Sequence, residues 1–337
     1  DKANPAPDFE PAQTEVFNVD FDASTQVAFQ GLFKQDFAGG FPLSVGSGLR
    51  TYKTNPKTGE TFLYGLTDRG PNGDAPAPLH PTAQITGTKV FPIPDFQPSF
   101  LRLKYTPGKG LEFLSRTGLT QDGKAISGRP IPACNIGNSG EIGLTENLHP
   151  LPFDPLGLDP EGIDFDQEGH GWICDEYGPF LVKVDLDTGA ILRRLAPGDG
   201  LPKILSQRQP NRGFEGIAVA ANGRIYGIIQ STLDVDGKTK KIADFVRLVE
   251  YDPSTGKTRM FAYPIDAAAY SKTNDAKIGD LLAIGDGKFA VIEQGTGLDK
   301  KLHNTIYAID IKDATDLSDR TIEGGDLAGK ELEYTRL

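Results

Sequence analysis

A repeated Glu-Gly pair constrains the fold of this chain more than any other feature of its sequence. Glu161-Gly162 and Glu215-Gly216 each precede an apolar run, and each run passes through a glycine turn into a second apolar run that ends in polar residues. The two glutamates, at positions 161 and 215, are 54 residues apart. A repeat of this length, built from short strands and turns, is typical of β-propellers. A glutamate at the mouth of each inner strand would direct carboxylates towards one central site.

Strand patterns recur along the chain, and no long amphipathic helix interrupts them. Short runs rich in β-branched and aromatic residues predict strands over residues 61–66, 180–184, 224–229, 245–251, 289–292 and 305–309. Turns of the form Asx-x-x-Thr-Gly begin at Asn55, Asp185 and Asp252. In such turns the Asx side chain caps the bend and the glycine takes a positive φ. We therefore predict an all-β protein, a β-propeller of about six four-stranded blades.

The spacing of the predicted inner strands sets the expected number of blades. These strands are predicted to begin at Ser47, Glu161, Glu215 and Asp280. The first two starts are separated by two repeat lengths, so a further blade is expected around residues 99–119, and the two chain ends are expected to close another.

The composition of three segments predicts the domain organisation. Residues 1–13 are polar and Pro-rich, and we predict a flexible N-terminal arm there. Residues 14–337 are predicted to form a single β-propeller domain. Within it, residues 121–155 are rich in Gly and Pro and predict a long functional loop or lid.

Charge and composition limit the classes of partner. The net charge is −11, which disfavours nucleic acid because binding phosphates needs a basic face. No stretch approaches the ~18 apolar residues of a membrane-spanning helix. The chain begins at Asp1 without an initiator Met, which indicates an exported protein, periplasmic or secreted, whose signal peptide has been removed; a trimmed chain would look the same. Cys134 and Cys174 either pair in an oxidising compartment or stay as free thiols.

Acidic residues at the ends of predicted inner strands are candidate metal ligands. Asp159 and Glu161 precede one strand, and Glu176 follows the next one. Glu215 occupies the position of Glu161 in the second copy of the repeat, and Glu293 ends a strand pattern as Glu176 does. Inner-strand carboxylates are costly unless a cation compensates them, and Ca²⁺ takes ~6–8 oxygen ligands. We predict that Ca²⁺ is bound by Glu161, Glu176, Glu215 and Glu293.

A second set of polar residues suits an anionic substrate. The guanidinium groups of Arg69 and Arg212 match phosphate or carboxylate, although each is also open to a structural pairing with a neighbouring carboxylate. His303 is either a general base or a solvated loop residue. The candidate catalytic residues are Asp68, Arg69, Arg212 and His303. The candidate substrate-binding residues are Asn72, Asn211, Gln230 and Lys300.

Several common catalytic motifs are missing from the sequence. It contains no Gly-x-Ser-x-Gly motif and no Walker loop, and no Gly-x-Gly-x-x-Gly follows a strand and opens a helix. Acyl-enzyme and nucleotide-dependent chemistry are therefore poorly supported.

Six short motifs, in their order along the chain, carry a resemblance to a known family. They are Asp68-Arg69-Gly70-Pro71-Asn72, Pro160-Glu161-Gly162-Ile163, Asp175-Glu176-Tyr177-Gly178-Pro179, Asn211-Arg212-Gly213-Phe214-Glu215-Gly216-Ile217-Ala218, Gln230-Ser231 and Val291-Ile292-Glu293. Over about residues 29–311 the chain resembles the phytase-like family of bacterial exported proteins, whose domain is described as "esterase-like activity of phytase". The resemblance implies a β-propeller and phosphomonoester hydrolysis with calcium. One departure is Gln294, which stands where the family pattern has an arginine after the glutamate.

These observations lead to one functional prediction and two alternatives. We predict an exported, metal-dependent phosphoric-ester hydrolase that uses Ca²⁺-activated water at the propeller axis and acts on a small anionic phosphoester. A non-catalytic, calcium-stabilised propeller that binds a ligand or partner protein is the first alternative. A metal-dependent lactone or carboxyl-ester hydrolase is the second. The sequence identifies no protein partner.

Overall fold

The fold is all-β with almost no helix. The computed structural model describes residues 16, 19, 25–75, 87–318 and 333–336, so the predicted arm, residues 1–13, lies outside the described residues. Helix in this part of the chain consists of short 3₁₀ segments, among them Lys203–Gln207, Val235–Gly237, Ala267–Ala269 and Thr273–Asp275. None of the helices in the described ranges has the length and apolar character needed to cross a membrane.

The strands are short and follow one another closely. Those before residue 150 are β1 (Gly48–Thr54), β2 (Thr61–Leu66), β3 (Gly73–Asp74), β4 (Gly87–Val90), β5 (Ser99–Thr106), β6 (Gly110–Gly118), β7 (Thr120–Gln121), β8 (Lys124–Ala125) and β9 (Glu141–Leu144). Those after it are β10 (Pro160–Phe165), β11 (Gly171–Asp175), β12 (Phe180–Val184), β13 (Ile191–Pro197), β14 (Gly200–Leu201), β15 (Phe214–Val219), β16 (Ile225–Ile229), β17 (Phe245–Asp252), β18 (Lys257–Pro264), β19 (Lys277–Gly285), β20 (Lys288–Thr296), β21 (Leu302–Asp310) and β22 (Glu333–Arg336).

Four of the sheets each contain an antiparallel meander of four strands, in which neighbouring strands follow one another along the chain. Their orders are β1-β2-β5-β6, β10-β11-β12-β13, β15-β16-β17-β18 and β19-β20-β21-β22, and the short β14 extends the second sheet in parallel. Two smaller sheets, β3-β4-β9 and β7-β8, come from insertions: β3 and β4 lie between β2 and β5 of the first meander, and β7, β8 and β9 lie between the first two meanders. The described residues thus form six sheets, most of them four-stranded or close to it, in partial agreement with the predicted blades.

The segment predicted as a separate blade completes the first sheet instead. β5 pairs with β2, and β6 pairs with β5, so residues 99–119 supply the two outer strands of that sheet. The long distance between the first two inner strands therefore reflects insertions, not another blade. The predicted loop at 121–155 is mostly irregular, but it carries β8 and β9, and its Ile126 and Ile131 are buried in the core.

The predicted hairpin turns are confirmed. Gly59, Gly189 and Gly256 close the three Asx-x-x-Thr-Gly turns at φ values of +73°, +72° and +70°. In each turn the glycine amide donates to the carbonyl of the Asx residue four positions earlier. Side chains with a Cβ rarely adopt this conformation, which explains the glycine at each position.

Hydrophobic cores fill the spaces between consecutive meanders. Leu66 and Ile173 belong to the core between the first and second sheets, and Leu281 and Phe289 to the core between the third and fourth. The inner strands approach closely at glycines: a Cβ on Gly216 of β15 would lie 2.5 Å from the backbone nitrogen of Leu281 in β19. Both cysteines are free; Cys134 is exposed and Cys174 is buried.

Arg50 connects the first inner strand, β1, to the other three. Its guanidinium donates to the carbonyl oxygens of Ile163 (3.2 Å), Ile217 (3.0 Å) and Leu281 (2.8 Å). It also pairs with Asp280 at 3.4 Å. The strands β1, β10, β15 and β19 therefore meet around one buried arginine.

Replacing Arg50 with methionine is expected to destabilise the fold by about 2–3 kcal/mol, because buried carbonyls of three inner strands lose their donor. Denaturant unfolding of the two proteins measures the difference. Arg102→Met serves as a control, since Arg102 is exposed and its guanidinium stacks on Phe62; this substitution should cost under about 1 kcal/mol. Equal losses in the two variants would show that Arg50 does not hold the inner strands together.

Candidate functional site

The repeated glutamates lie at equivalent irregularities of neighbouring inner strands. The pairing of β10 with β11 shifts register between Pro160 and Gly162, and that of β15 with β16 shifts between Phe214 and Gly216. A β-bulge at each point redirects the side chain of the extra residue, which is Glu161 in one strand and Glu215 in the other. The sequence repeat is therefore also a repeat of backbone geometry.

Five carboxylates gather at this end of the inner strands, and we call them the carboxylate cluster: Asp68, Asp159, Glu161, Glu176 and Glu215. Oxygen atoms of Asp68, Asp159 and Glu161 lie within 4.8 Å of one another. Asp68 is exposed, whereas Asp159 is only 1% exposed. The Oδ1 atom of Asp159 is buried and has no hydrogen-bond partner among the described residues.

Gln230 joins the other two members of the cluster. Its Nε2 atom donates to Glu176 Oε1 at 3.0 Å and to Glu215 Oε2 at 2.7 Å. Gln230 follows β16 directly and is itself buried. The bridge brings carboxylates from the second and third sheets to the two sides of one amide group.

The electrostatics of the cluster favour protonation in the absence of a cation. Burial raises the pKa of Glu161 well above its ordinary value, and the charges of Glu215 and Glu176 raise it further. Burial, with the charge of Glu215, raises the pKa of Glu176 to about 8. Burial raises the pKa of Glu215 to about 7 against the opposing hydrogen bond from Gln230. Burial also raises the pKa of Asp159, although Arg69 opposes the shift.

Arg69 is enclosed by protein groups next to the cluster. It is 5% exposed and donates to Glu141 Oε2 (2.9 Å) and Tyr177 Oη (3.1 Å). Asp159 lies 3.4 Å from the same nitrogen. Because two carboxylates and a phenol already engage the guanidinium, Arg69 acts as an internal counter-ion of the cluster.

The predicted substrate-binding asparagines contact Arg69. Asn72 Oδ1 accepts a hydrogen bond from Arg69 at 3.3 Å, and Asn211 Oδ1 accepts one at 3.5 Å. Arg212 is half-buried and donates to Ser231 Oγ (3.2 Å) and to the carbonyl of Asn274 (2.8 Å). No carboxylate of the described residues forms an ion pair with it.

Three of the predicted site residues lie in other surroundings. The buried Glu293 carboxylate accepts hydrogen bonds from Tyr263 Oη (2.8 Å) and Tyr270 Oη (3.3 Å) and from the Asp266 amide (2.8 Å), all within the third and fourth sheets and their connection. Lys300 and His303 lie in the connection between β20 and β21 and at the start of β21. His303 is exposed and contacts Asp299 at 2.8 Å.

The donor set of the cluster fits a hard cation. Carboxylate oxygens are its only charged ligand atoms, which suits Ca²⁺, Mg²⁺ or Mn²⁺ rather than a metal that prefers nitrogen or sulfur. The unpartnered Oδ1 of Asp159 gives a further reason, since a buried carboxylate oxygen without a donor is costly. A second acidic group, Asp166, Glu168 and His170, is compensated by Lys183, which lies 3.0 Å from both carboxylates.

Some residues of the site were not predicted. Asp159 is among the acidic residues that the sequence offers as candidate ligands, but the predicted calcium set does not include it, although its position next to the repeat is a usable signal. Glu141 lies in the Gly- and Pro-rich segment, where no periodic pattern distinguishes it. Tyr177 stood inside a recognised motif, but nothing in the sequence indicates that its hydroxyl contacts Arg69.

The architecture and the cluster define a class: an all-β protein of antiparallel meanders with a group of carboxylates, most of them buried or half-buried, at one end of its inner strands. The chain belongs to the phytase-like family, "Esterase-like activity of phytase", whose model matches residues 61–333. The chain is also 27% identical over 260 residues to an "Uncharacterized secreted protein" of Arthroderma benhamiae, with 65% of this chain and 50% of the relative covered. The chain thus spans half the length of that fungal relative, and the bacterial origin implied by the resemblance is not shown.

Distant similarity to solved structures is also found. A virginiamycin B lyase from Staphylococcus aureus is 11% identical, with 79% of this chain and 92% of that chain covered at a TM-score of 0.31. A Lactobacillus plantarum protein is 9% identical, with 87% and 89% covered at a TM-score of 0.33. At these scores neither bears on the function of this chain.

Proposed function

We propose that this protein is a secreted or periplasmic, metal-dependent hydrolase of phosphoric esters, with its active site at the carboxylate cluster. The observation that carries the proposal is the convergence of Asp68, Asp159 and Glu161, with oxygens within 4.8 Å of one another and one buried oxygen unpartnered. The "esterase-like activity of phytase" description of the family supports hydrolysis, and the secreted relative supports export.

Asp68, Asp159 and Glu161 would hold a divalent cation, Ca²⁺ in the first instance, and Glu176 and Glu215 adjoin them. Such a cation supplies a polarised phosphoryl oxygen and a water of lowered pKa. The Asp159 carboxylate is paired with Arg69, and the backbone amide of Asp159 donates to Asp175 Oδ2 at 2.6 Å. The two contacts hold both the side chain and the backbone of Asp159 in place. The cluster therefore presents a preorganised set of oxygens.

The remaining residues of the site would transfer protons, orient carboxylates or stabilise negative charge on the substrate. With pKa values of about 8 and about 7, Glu176 and Glu215 exchange protons near neutral pH, which suits general acid or base work. Gln230 orients both carboxylates through its amide. Arg212 lies beside Ser231 and faces no acidic partner in the described ranges, so it suits the negative charge of a phosphoryl group.

We also infer that the four meanders form the blades of a propeller. Three filled cores join consecutive sheets, and Arg50 of the first inner strand reaches the last one at Leu281. The carboxylate cluster would then lie at one end of the propeller axis.

Hydrolysis of an aryl phosphate should require calcium and should be lost on chelation. Glu161→Gln should reduce the rate on the order of 10- to 100-fold, because one cation ligand is lost. Glu168→Gln is the matched control. Glu168 is exposed and belongs to the second acidic group, so this variant should hydrolyse the aryl phosphate at the wild-type rate. The absence of metal-dependent turnover on every phosphoester tested would contradict the proposal.

Two other functions are compatible with the same cluster. A calcium-stabilised binding module would gain thermal stability with Ca²⁺ but cleave no ester. A lactone or carboxyl-ester hydrolase, which the family description also favours, would cleave those esters in preference to phosphoesters. A substrate panel combined with thermal unfolding in calcium distinguishes the three.

A further inference from the structure

Lys277 is a cation next to the cluster that the sequence motifs do not include. It begins β19 and is half-buried, and none of the described carboxylates forms an ion pair with it. Its two neighbours in the chain are tied to the end of β16. The Ser231 hydroxyl donates to the Ala276 carbonyl (3.4 Å), and the Ile278 amide donates to the Gln230 carbonyl (2.8 Å). Lys277 is therefore held beside the residue that bridges Glu176 and Glu215.

Arg212 also contacts the end of β16. Its Nη1 atom donates to Ser231 Oγ, the hydroxyl that also contacts Ala276. Its Nε and Nη2 atoms make no hydrogen bond with described residues, so part of its fork is free. Arg212 and Lys277 thus flank the pair Gln230-Ser231, and the charge of Lys277 acts on Glu215, where it favours the ionised carboxylate.

We propose that Arg212 and Lys277 form an anion-binding subsite that takes the dianionic phosphate of a phosphomonoester, an inference that rests on the proposed function. A dianion is repelled by the cluster unless cations face it. A free guanidinium edge provides directed N–H donors, and an ammonium group provides a compact charge. A monoester carries its dianion at the end of the molecule, where Arg212 and Lys277 would both reach it. A lactone or a neutral carboxyl ester offers no such group.

Isothermal titration of the calcium-loaded full chain with inorganic phosphate tests the subsite without requiring turnover. Arg212→Gln and Lys277→Gln should each raise the Kd for phosphate about tenfold, because each removes a charge-assisted contact. Lys277→Arg should retain most of the binding. Lys272→Gln is the matched control, since Lys272 is exposed in the preceding connection, and its Kd should equal that of the wild type. Acetate should bind far more weakly than phosphate.

The outcomes separate the subsite from the catalytic proposal. Absence of phosphate binding, or a Kd unchanged in both glutamine variants, overturns the subsite. Phosphate binding that depends on Arg212 and Lys277 in a protein that cleaves no ester keeps the subsite and refutes the hydrolase. Turnover of a phosphoester with a KM that is unchanged in both variants supports the hydrolase and refutes the subsite. Should a glutamine variant fail to fold, Arg212→Lys, which keeps the charge and loses the fork, decides: an unchanged Kd contradicts the role of Arg212.

Discussion

Replacing Arg69 with methionine is expected to lower the free energy of unfolding by about 3–5 kcal/mol in calcium-free buffer. Arg69 is buried between Glu141 and Asp159, at 2.9 Å and 3.4 Å. Its removal leaves two buried carboxylates without their cation, and the phenol of Tyr177 without a donor. The loss of stacking on Phe91, 5.7 Å from the guanidinium carbon, adds to the cost. Urea unfolding followed by circular dichroism measures the change.

A further set of variants tests whether uncompensated buried charge causes the loss of stability in Arg69→Met. Adding Glu141→Gln and Asp159→Asn to Arg69→Met removes the uncompensated carboxylates and should recover part of the lost stability. Arg102→Met, at an exposed position, should change the stability by less than about 1 kcal/mol. A loss of that same small size in Arg69→Met would mean that Arg69 is not the counter-ion of the cluster and is free for substrate.

Local sequence patterns predicted the elements of the fold well, because short-range rules govern them. The strands at 61–66 and 180–184 have the predicted bounds, since β-branched and aromatic runs are bounded there by turn residues. The glycines of the Asx turns take the positive φ that their motif requires. The Glu-Gly repeat marks a bulge at two equivalent points. The equivalence of Glu161 and Glu215 in neighbouring inner strands could therefore be predicted from the repeat alone.

The number of four-stranded sheets was harder to predict, because spacing does not distinguish an inserted segment from an additional sheet. β5 and β6 have the length and composition of blade strands, yet they extend the sheet that β1 and β2 begin. Only the pairing of β2 with β5, which are separated by residues 67–98, shows that the two strands belong to the first sheet. No local sequence pattern encodes that pairing. The two small sheets made by the insertions have no signal in the repeat.

The assignment of individual site residues depended on contacts distant in the chain. Glu293 ends a strand as Glu176 does, but Tyr263 of β18 and Tyr270 of the connection after β18 donate hydrogen bonds to its carboxylate. Arg69 resembled an anion-binding residue at a strand end, and the group that encloses it, Glu141, is 72 positions away. The sequence indicates which residues are polar at strand ends; packing decides which of them remain free.

The stability of the calcium-free protein is expected to fall as the pH rises from about 5 to about 8. Glu176 and Glu215 have pKa values of about 8 and about 7 in the folded state, raised mainly by burial, and Asp175 is raised by burial to about 7. In the unfolded chain the two glutamates ionise near pH 4.5 and Asp175 near pH 3.8. Between those limits the folded state binds more protons than the unfolded state, so each unit of pH costs the folded state free energy. The total loss is on the order of several kcal/mol, since one pKa unit corresponds to about 1.4 kcal/mol and three interacting groups contribute.

Saturating calcium should reverse this dependence, because the cation takes the place of the protons and binds more tightly as the carboxylates ionise. Thermal unfolding at several pH values, with calcium and with chelator, gives the two curves. Glu176→Gln and Glu215→Gln should each flatten the calcium-free curve, since neither amide titrates, whereas Glu168→Gln should leave it unchanged. A calcium-free stability that stays constant or rises between pH 5 and 8 would mean that these carboxylates are already ionised and compensated in the folded protein, and the cluster would then have no need of a cation.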